Sequence, residues 1–187
     1  MERRELLKMI AAITGGVFIG GDLLTGCKSG PAVGGPTFSE ADTAYLDEVA
    51  ETILPATKTP GAKDAKVGAF MVVMVNDTYT EKDQKIFHEG IGKLEEASKK
   101  ANGKSFMDAT AEQRTALLTA LDKEAIDYRK NKKEADPNHY FTMMKQLTLL
   151  GFFTSKEGAT QALRYLPVPG KYDGAYPYKK GDKAWAT

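Results

Sequence analysis

The chain has 187 residues, with 26 Lys or Arg, 25 Asp or Glu, two His and one Cys, and its formal net charge is +1. This near-neutral charge argues against a protein that binds nucleic acid electrostatically. A single thiol excludes an internal disulfide and any cysteine-rich zinc, iron–sulfur or c-type haem site. The length and the hydrophobic content of 42% indicate one folded domain.

Residues 1–26 have the layout of an export signal. Arg3, Arg4 and Lys8 precede an apolar stretch that is rich in glycine and too short for a membrane-spanning helix of about 20 residues. The pattern Arg-Arg-x-Leu-Leu-Lys that begins at Arg3 resembles a twin-arginine (Tat) signal. We therefore predict export by the Tat route, with residues 1–26 removed from the mature protein.

The residues Leu24, Thr25, Gly26 and Cys27 resemble a bacterial lipobox. In this motif the signal is cut before the cysteine, whose thiol accepts a diacylglyceryl group, and the small preceding residues let the backbone enter the peptidase. Several acyl chains, at about 0.8 kcal/mol per buried CH2, hold such a protein at a membrane. The alternative is that Cys27 is an incidental core thiol or a reactive one. The lipid anchor is favoured because a signal precedes the cysteine and a Gly/Pro-rich segment follows it.

The segment after the lipobox predicts how the fold is attached. Residues 27–37 are predicted to be a tether, because their glycines and prolines favour flexibility. Lys28 stands where an Asp would favour retention in the inner membrane. We expect the mature protein on the periplasmic side of the cell envelope, lipid-anchored, with the outer membrane preferred. The folded domain is predicted over residues 38–187.

Capping signals and apolar spacing predict helices through most of this domain. Ser39 with Asp42, and Thr110 with Gln113, have the spacing of a capping box. The second helix is apolar on nearly every face, Val73 included, which predicts a central position. The predicted helices run from Ser39 to Pro55, over about residues 65–77, from Thr80 to Asn102-Gly103, from Thr110 to about Tyr128, from a first turn at Pro137 through Leu150 and Phe153, and from Thr154 or Ser155 to about Tyr165.

No segment shows the sustained period of two that is typical of strands. The predicted fold class is therefore all-α, a compact bundle of about five to six helices with non-parallel packing. Residues 170–187 break the helical pattern and form an irregular, aromatic-rich segment, called the C-terminal arm below.

The C-terminal arm contains Tyr172, Tyr176, Tyr178 and Trp185. Tyr and Trp bury a large area at a low entropic cost and dominate the hot spots of protein interfaces. One interpretation is that the arm wraps a partner through these four side chains. The other is that it packs across its own helices. The sequence supports both equally, and the two are compatible.

The sequence contains no recognised catalytic motif. There is no glycine-rich phosphate loop, and no Gly-x-Ser-x-Gly accompanies the histidines. His88 and His139 are the only imidazoles and are distant in sequence, which favours hydrogen-bonded structural roles over metal binding. We predict no catalytic, cofactor-binding or metal-binding residue in this chain.

Several phrases carry a resemblance to a known family. They occur in order through most of the mature chain: LDEVAETILP at 46–55, TPGA at 59–62, VGAFM at 67–71, HYF at 139–141, LTLLGFFTS at 147–155 and YDG at 172–174. Together they resemble the gluconate 2-dehydrogenase subunit 3 family, over approximately residues 38–187. A long set of phrases in order is more specific than any single short motif.

The resemblance implies an accessory subunit and not a catalyst. Members are small partners of FAD-dependent dehydrogenases of the glucose–methanol–choline (GMC) class, whose large subunit oxidises a sugar or sugar acid. It implies no cofactor in this chain, FAD in the partner, and a cytochrome c subunit or another membrane acceptor for the electrons. It also implies that the small subunit carries the Tat signal for the folded flavoprotein. The lipobox departs from this pattern, because a lipidated small subunit could itself hold the complex at the membrane.

Two other functions remain open at this point. The chain could be a stand-alone envelope lipoprotein that binds a small ligand or an envelope component. It could also be an enzyme whose site is not recognisable from motifs.

Overall fold

The computed structural model describes residues 37–168 and 170–186. The predicted signal, the lipobox and most of the tether lie outside the described residues, and with them Arg3, Arg4, Leu24, Thr25, Gly26 and Cys27.

The described residues form five α-helices followed by one π-helical turn. The α-helices are α1 (Glu40–Ile53), α2 (Val67–Thr78), α3 (Glu81–Asn102), α4 (Ala111–Asn131) and α5 (Tyr140–Thr154), and the π-helical turn spans Gly158–Ala162. Within the described part of the chain, β pairing is limited to an isolated parallel bridge between Arg164 and Trp185. The predicted all-α fold class is confirmed.

Local capping chemistry sets the ends of several helices as predicted. The Ser39 side chain accepts a hydrogen bond from Asp42 N–H while the Asp42 carboxylate accepts one from Ser39 N–H, which completes a capping box. Thr110 and Gln113 form the same reciprocal pair at the start of α4. Gly103 ends α3 with a left-handed φ of 67°, a conformation that glycine adopts without steric cost.

The start of α5 differs from the prediction. Pro137 does not lie in its first turn, because the helix begins at Tyr140 with His139 as its N-cap. Pro137 could occupy the first helical position only if Asp136 were the cap. Instead, the Asp136 carboxylate accepts the N–H of Lys133 at 2.8 Å and closes a turn of its own.

The helix at the centre of the bundle is α5. It contacts α1, α2, α3 and α4, whereas α2, predicted to be central, leaves Val73 55% exposed. Leu150 and Phe153, which helped to predict this helix, are exposed, while Leu147, Thr148, Gly151 and Phe152 are buried. Residues spaced by three positions each time move gradually off one face of a helix. The buried residues instead follow alternating spacings of three and four, which stay on one face.

Two glycines allow the helices to approach α5 closely. A Cβ at Gly90 of α3 would lie 2.6 Å from the Tyr140 side chain, and one at Gly151 would lie 2.6 Å from the Phe70 ring of α2. Among the described helices, none is both long and apolar enough to span a bilayer.

Candidate interaction surface

The loop between α1 and α2 is held by Glu51, which belongs to the phrase at residues 46–55. Its two carboxylate oxygens accept backbone hydrogen bonds from Ala56 N–H at 2.8 Å and from Lys63 N–H at 2.9 Å. Gly61 lies against this carboxylate, and a Cβ there would be 2.6 Å from the backbone nitrogen of Ala56 and closer still to Glu51. The glycine of the TPGA phrase therefore makes room for the carboxylate.

Two further acidic residues of the same phrase fix α1 to its neighbours. Asp47 accepts a hydrogen bond from Gly68 N–H at 2.7 Å and so caps the start of α2. Glu48 forms an ion pair with Lys63 at 2.7 Å and a second one with Arg114 of α4. The acidic residues of this phrase thus have structural partners within the fold.

The two histidines also have structural contacts. His88 stacks on Phe38, with ring centroids 4.2 Å apart. His139 Nδ1 accepts from Phe141 N–H at 3.2 Å, and its Nε2 lies 3.6 Å from a Glu124 oxygen. Burial lowers the pKa of His139, and the charge of Glu124 opposes this shift. Among the residues that the structure describes, there is no cluster of three or more His, Cys, Asp or Glu side chains that could hold a metal ion.

Arg164 organises the C-terminal arm. Its guanidinium carbon lies 3.8 Å from the Trp185 ring centroid and 5.3 Å from that of Tyr176. The backbone N–H of Arg164 donates a hydrogen bond to the carbonyl oxygen of Ala184 at 2.8 Å, and its carbonyl oxygen accepts one from Ala186 N–H at 3.0 Å. Since a cation over an aromatic face is attracted to the ring, these contacts close the arm into a loop. We call this set of contacts the Arg164 clasp.

The four aromatic residues predicted as partner contacts are exposed to different degrees. The exposed fraction is 96% for Tyr172, 75% for Tyr178, 51% for Tyr176 and 42% for Trp185. Tyr176 and Trp185 meet edge to face, with centroids 5.7 Å apart. The described part of the arm therefore packs on itself and on Arg164, and it leaves much of its aromatic surface open.

A cavity of about 900 Å³ lies within the arm. It brings together three of the four predicted contacts, while Tyr178 does not line it. Its lining residues are Leu166, Gly170, Lys171, Tyr172, Asp173, Tyr176 and Trp185. Sequence reasoning missed Arg164, because an isolated arginine at the end of a helical segment carries no local signal of its distant aromatic partners.

Exposed apolar side chains are concentrated near the C-terminal end of the described chain. Of the thirteen large hydrophobic residues exposed among the described residues, ten lie between 149 and 185. Four of them, Leu166, Tyr172, Tyr176 and Trp185, line the cavity together, and contiguous exposed apolar surface is typical of sites that bind another protein. The fold and this surface together define a small helical protein with an exposed aromatic arm.

Comparison with known proteins identifies the family. Residues 40–170 match the family described as gluconate 2-dehydrogenase subunit 3. The chain therefore belongs to this family, whose description is that of a subunit of a dehydrogenase complex and implies a partner dehydrogenase. The match spans the five α-helices and the π-helical turn. Searches of curated proteins and of solved structures found no match.

Proposed function

We propose that the chain is the non-catalytic small subunit of an FAD-dependent dehydrogenase of the GMC class that oxidises a sugar or sugar acid. The observation that carries this proposal is the family match over residues 40–170. FAD then belongs to the large partner subunit, which also selects the substrate. Electrons pass from it to a cytochrome c subunit or another membrane acceptor.

Export and membrane attachment are the proposed tasks of the N-terminal segment. The paired arginines Arg3 and Arg4 support Tat export, a route that carries folded cargo such as a flavoprotein already loaded with FAD. The small residues before Cys27 support lipidation of that cysteine. In this proposal the small subunit escorts the flavoprotein across the membrane and anchors it on the periplasmic side of the envelope.

The C-terminal arm is the proposed contact with the flavoprotein. Tyr172, Tyr176, Tyr178 and Trp185 are the side chains assigned to it. Their open aromatic surface supports the assignment, because Tyr and Trp contribute large buried areas to interfaces. Self-packing through the Arg164 clasp and partner binding through the outward faces are compatible.

The experiment that tests the escort role replaces both Arg3 and Arg4 by Lys in cells that produce the chain and its flavoprotein partner. We expect both proteins to remain in the cytoplasm, measured by fractionation and by flavin in the periplasmic fraction. Lys8→Arg is the matched control, since it changes a basic residue of the signal outside the arginine pair. Unchanged export of the flavoprotein in the double variant would contradict the escort role.

A second variant separates anchoring from export. Cys27→Ser removes the thiol that accepts the lipid, so the complex should reach the periplasm and then appear in the soluble fraction. If the variant chain stays in the membrane fraction, the lipid is not what holds it there.

A further inference from the structure

We infer that the cavity of the C-terminal arm is an anchor site for an acidic segment of the partner flavoprotein that carries an apolar side chain. This inference rests on the proposed function and adds the chemistry of the docking site. It assigns the centre of the interface to the cavity walls and not to the helical bundle.

The walls of the cavity fit an apolar side chain. Leu166, Tyr172, Tyr176 and Trp185 are its aliphatic and aromatic lining residues. Its volume of about 900 Å³ lies within the range of about 300–1,000 Å³ for sites that enclose small ligands, so it accepts a short stretch of polypeptide. Aromatic walls around an apolar anchor are typical of interface hot spots.

The Arg164 clasp holds this site open before binding. Arg164 lies at the end of the helical part of the chain, and both Tyr176 and Trp185 lie against its guanidinium. The backbone bridge between Arg164 and the segment 184–186 fixes the far end of the arm. Because a preorganised surface loses less entropy on binding, Arg164 is a positioning residue for the docking site.

The charge of the arm indicates the charge of the segment that binds in the cavity. The arm contains four lysines and two aspartates, whereas residues 38–169 contain 18 Lys or Arg and 20 Asp or Glu. Both aspartates of the arm accept backbone hydrogen bonds, Asp173 from Ala175 and Asp182 from Lys179. Two charged residues line the cavity: Asp173 is held by its hydrogen bond from Ala175 N–H, whereas Lys171 forms no ion pair among the described residues. An acidic occupant is therefore favoured.

A second copy of this chain fits the cavity less well. Its helical bundle is nearly neutral. Outside residues 149–185, the large hydrophobic side chains exposed in the described part of the chain are limited to Val73, Met107 and Tyr128. The exposed apolar side chains of a second copy thus lie mainly in its own C-terminal region, whose arm carries the same positive charge, and we commit to the flavoprotein as the occupant.

Trp185 provides a direct test because it is the only tryptophan of the chain and lines the cavity. The full-length chain is labelled with fluorotryptophan in mild detergent and titrated with the unlabelled, purified flavoprotein while fluorine NMR follows the single resonance. We expect this resonance to shift or broaden in step with complex formation, measured in parallel by size-exclusion chromatography. A complex that forms without any change at Trp185 would overturn the inference and the assignment of the arm as the contact, and it would leave the proposed role as small subunit of the flavoprotein standing.

Substitutions at the rim test the chemistry of the occupant. Lys171→Glu and Tyr172→Ala should each weaken affinity for the flavoprotein about tenfold or more, since one reverses the rim charge and the other removes an aromatic wall. Lys133→Glu, at an exposed position between α4 and α5, is the matched charge control and should leave affinity within about twofold. Circular dichroism checks that the variants fold, and the fluorine titration needs no variant.

The remaining outcomes are also decisive. Equal weakening by Lys171→Glu and Lys133→Glu would mean that general charge and not the cavity determines binding, which contradicts the inference. A labelled resonance that shifts with the concentration of the chain alone, together with a dimer in chromatography, would assign the cavity to a second copy. Absence of any complex with the flavoprotein would overturn the proposed function together with the inference.

Discussion

Replacing Glu51 by Ala is expected to destabilise the protein by releasing the loop between α1 and α2. The carboxylate accepts two backbone hydrogen bonds, from Ala56 and Lys63. A hydrogen bond to a charged group contributes about 1.5–3 kcal/mol, and the lower end applies because water reaches the loop. The two bonds together give a loss of about 3 kcal/mol in the free energy of unfolding.

The assay is urea and thermal unfolding followed by far-ultraviolet circular dichroism. For a chain of this size, 1 kcal/mol corresponds to about 2–4 °C in melting temperature, so Glu51→Ala should lower it by about 6–12 °C. Glu51→Gln keeps one acceptor oxygen and should lose about half as much. Glu96→Ala on the exposed face of α3 is the matched control, with a change within about 0.5 kcal/mol. If Glu51→Ala unfolds like Glu96→Ala, the loop is not held by this carboxylate.

Three other changes follow from the same contacts. Gly61→Ala should cost about 1–3 kcal/mol because its methyl group meets the Glu51 carboxylate, and the cost should shrink in a Glu51→Ala background. Thr110→Ala should cost about 1 kcal/mol in urea unfolding, since it removes the N-cap of α4. Burial lowers the pKa of His139 in the folded protein, so the unfolded chain binds more protons at low pH. The free energy of unfolding should therefore fall as the pH drops below about 6.5. Protonation also removes the Nδ1 acceptor for Phe141 N–H. His139→Asn, which keeps a capping side chain, should flatten that dependence.

The results that contradict these three expectations are specific. Additive costs in the Gly61–Glu51 double variant would mean that the two residues do not interact. An unchanged unfolding midpoint for Thr110→Ala would mean that the cap is replaced by solvent without cost. An equal loss of stability at low pH in wild type and His139→Asn would assign the titration to another group.

The sequence predicted the helix ends that depend on neighbouring residues. Ser39 and Thr110 cap their helices through partners three residues away, and Gly103 ends α3 through its own backbone freedom. These interactions are local, so a pattern of residue types contains the needed information. The all-α fold class follows from the same local signals.

Predictions that needed distant contacts were less accurate. Pro137 was assigned to the first turn of α5 because proline favours that position. The competing turn closed by Asp136 could not be foreseen from residue types. The spacing of Leu150 predicted the helix correctly but could not give its exposure, because the face that α5 buries is set by the other four helices.

The candidate site shows the same division. The aromatic residues of the arm could be identified from composition, and three of them line one cavity. Arg164, which brings Tyr176 and Trp185 together, could not be found, because its partners lie 12 and 21 positions further along the chain. The carboxylate of Glu51 was noted only as part of a phrase, and its role in the loop required the backbone geometry.

Flavin content after affinity purification shows whether the chain is the small subunit of a flavoprotein dehydrogenase. The full-length chain, tagged in the exposed loop between α4 and α5, is extracted from its native membranes with a mild detergent and purified without denaturation. We expect a complex that contains a large second subunit and FAD in a fixed ratio to the tagged chain. A monomeric chain without flavin or partner, from cells shown to produce the flavoprotein, would contradict it and favour a stand-alone envelope lipoprotein.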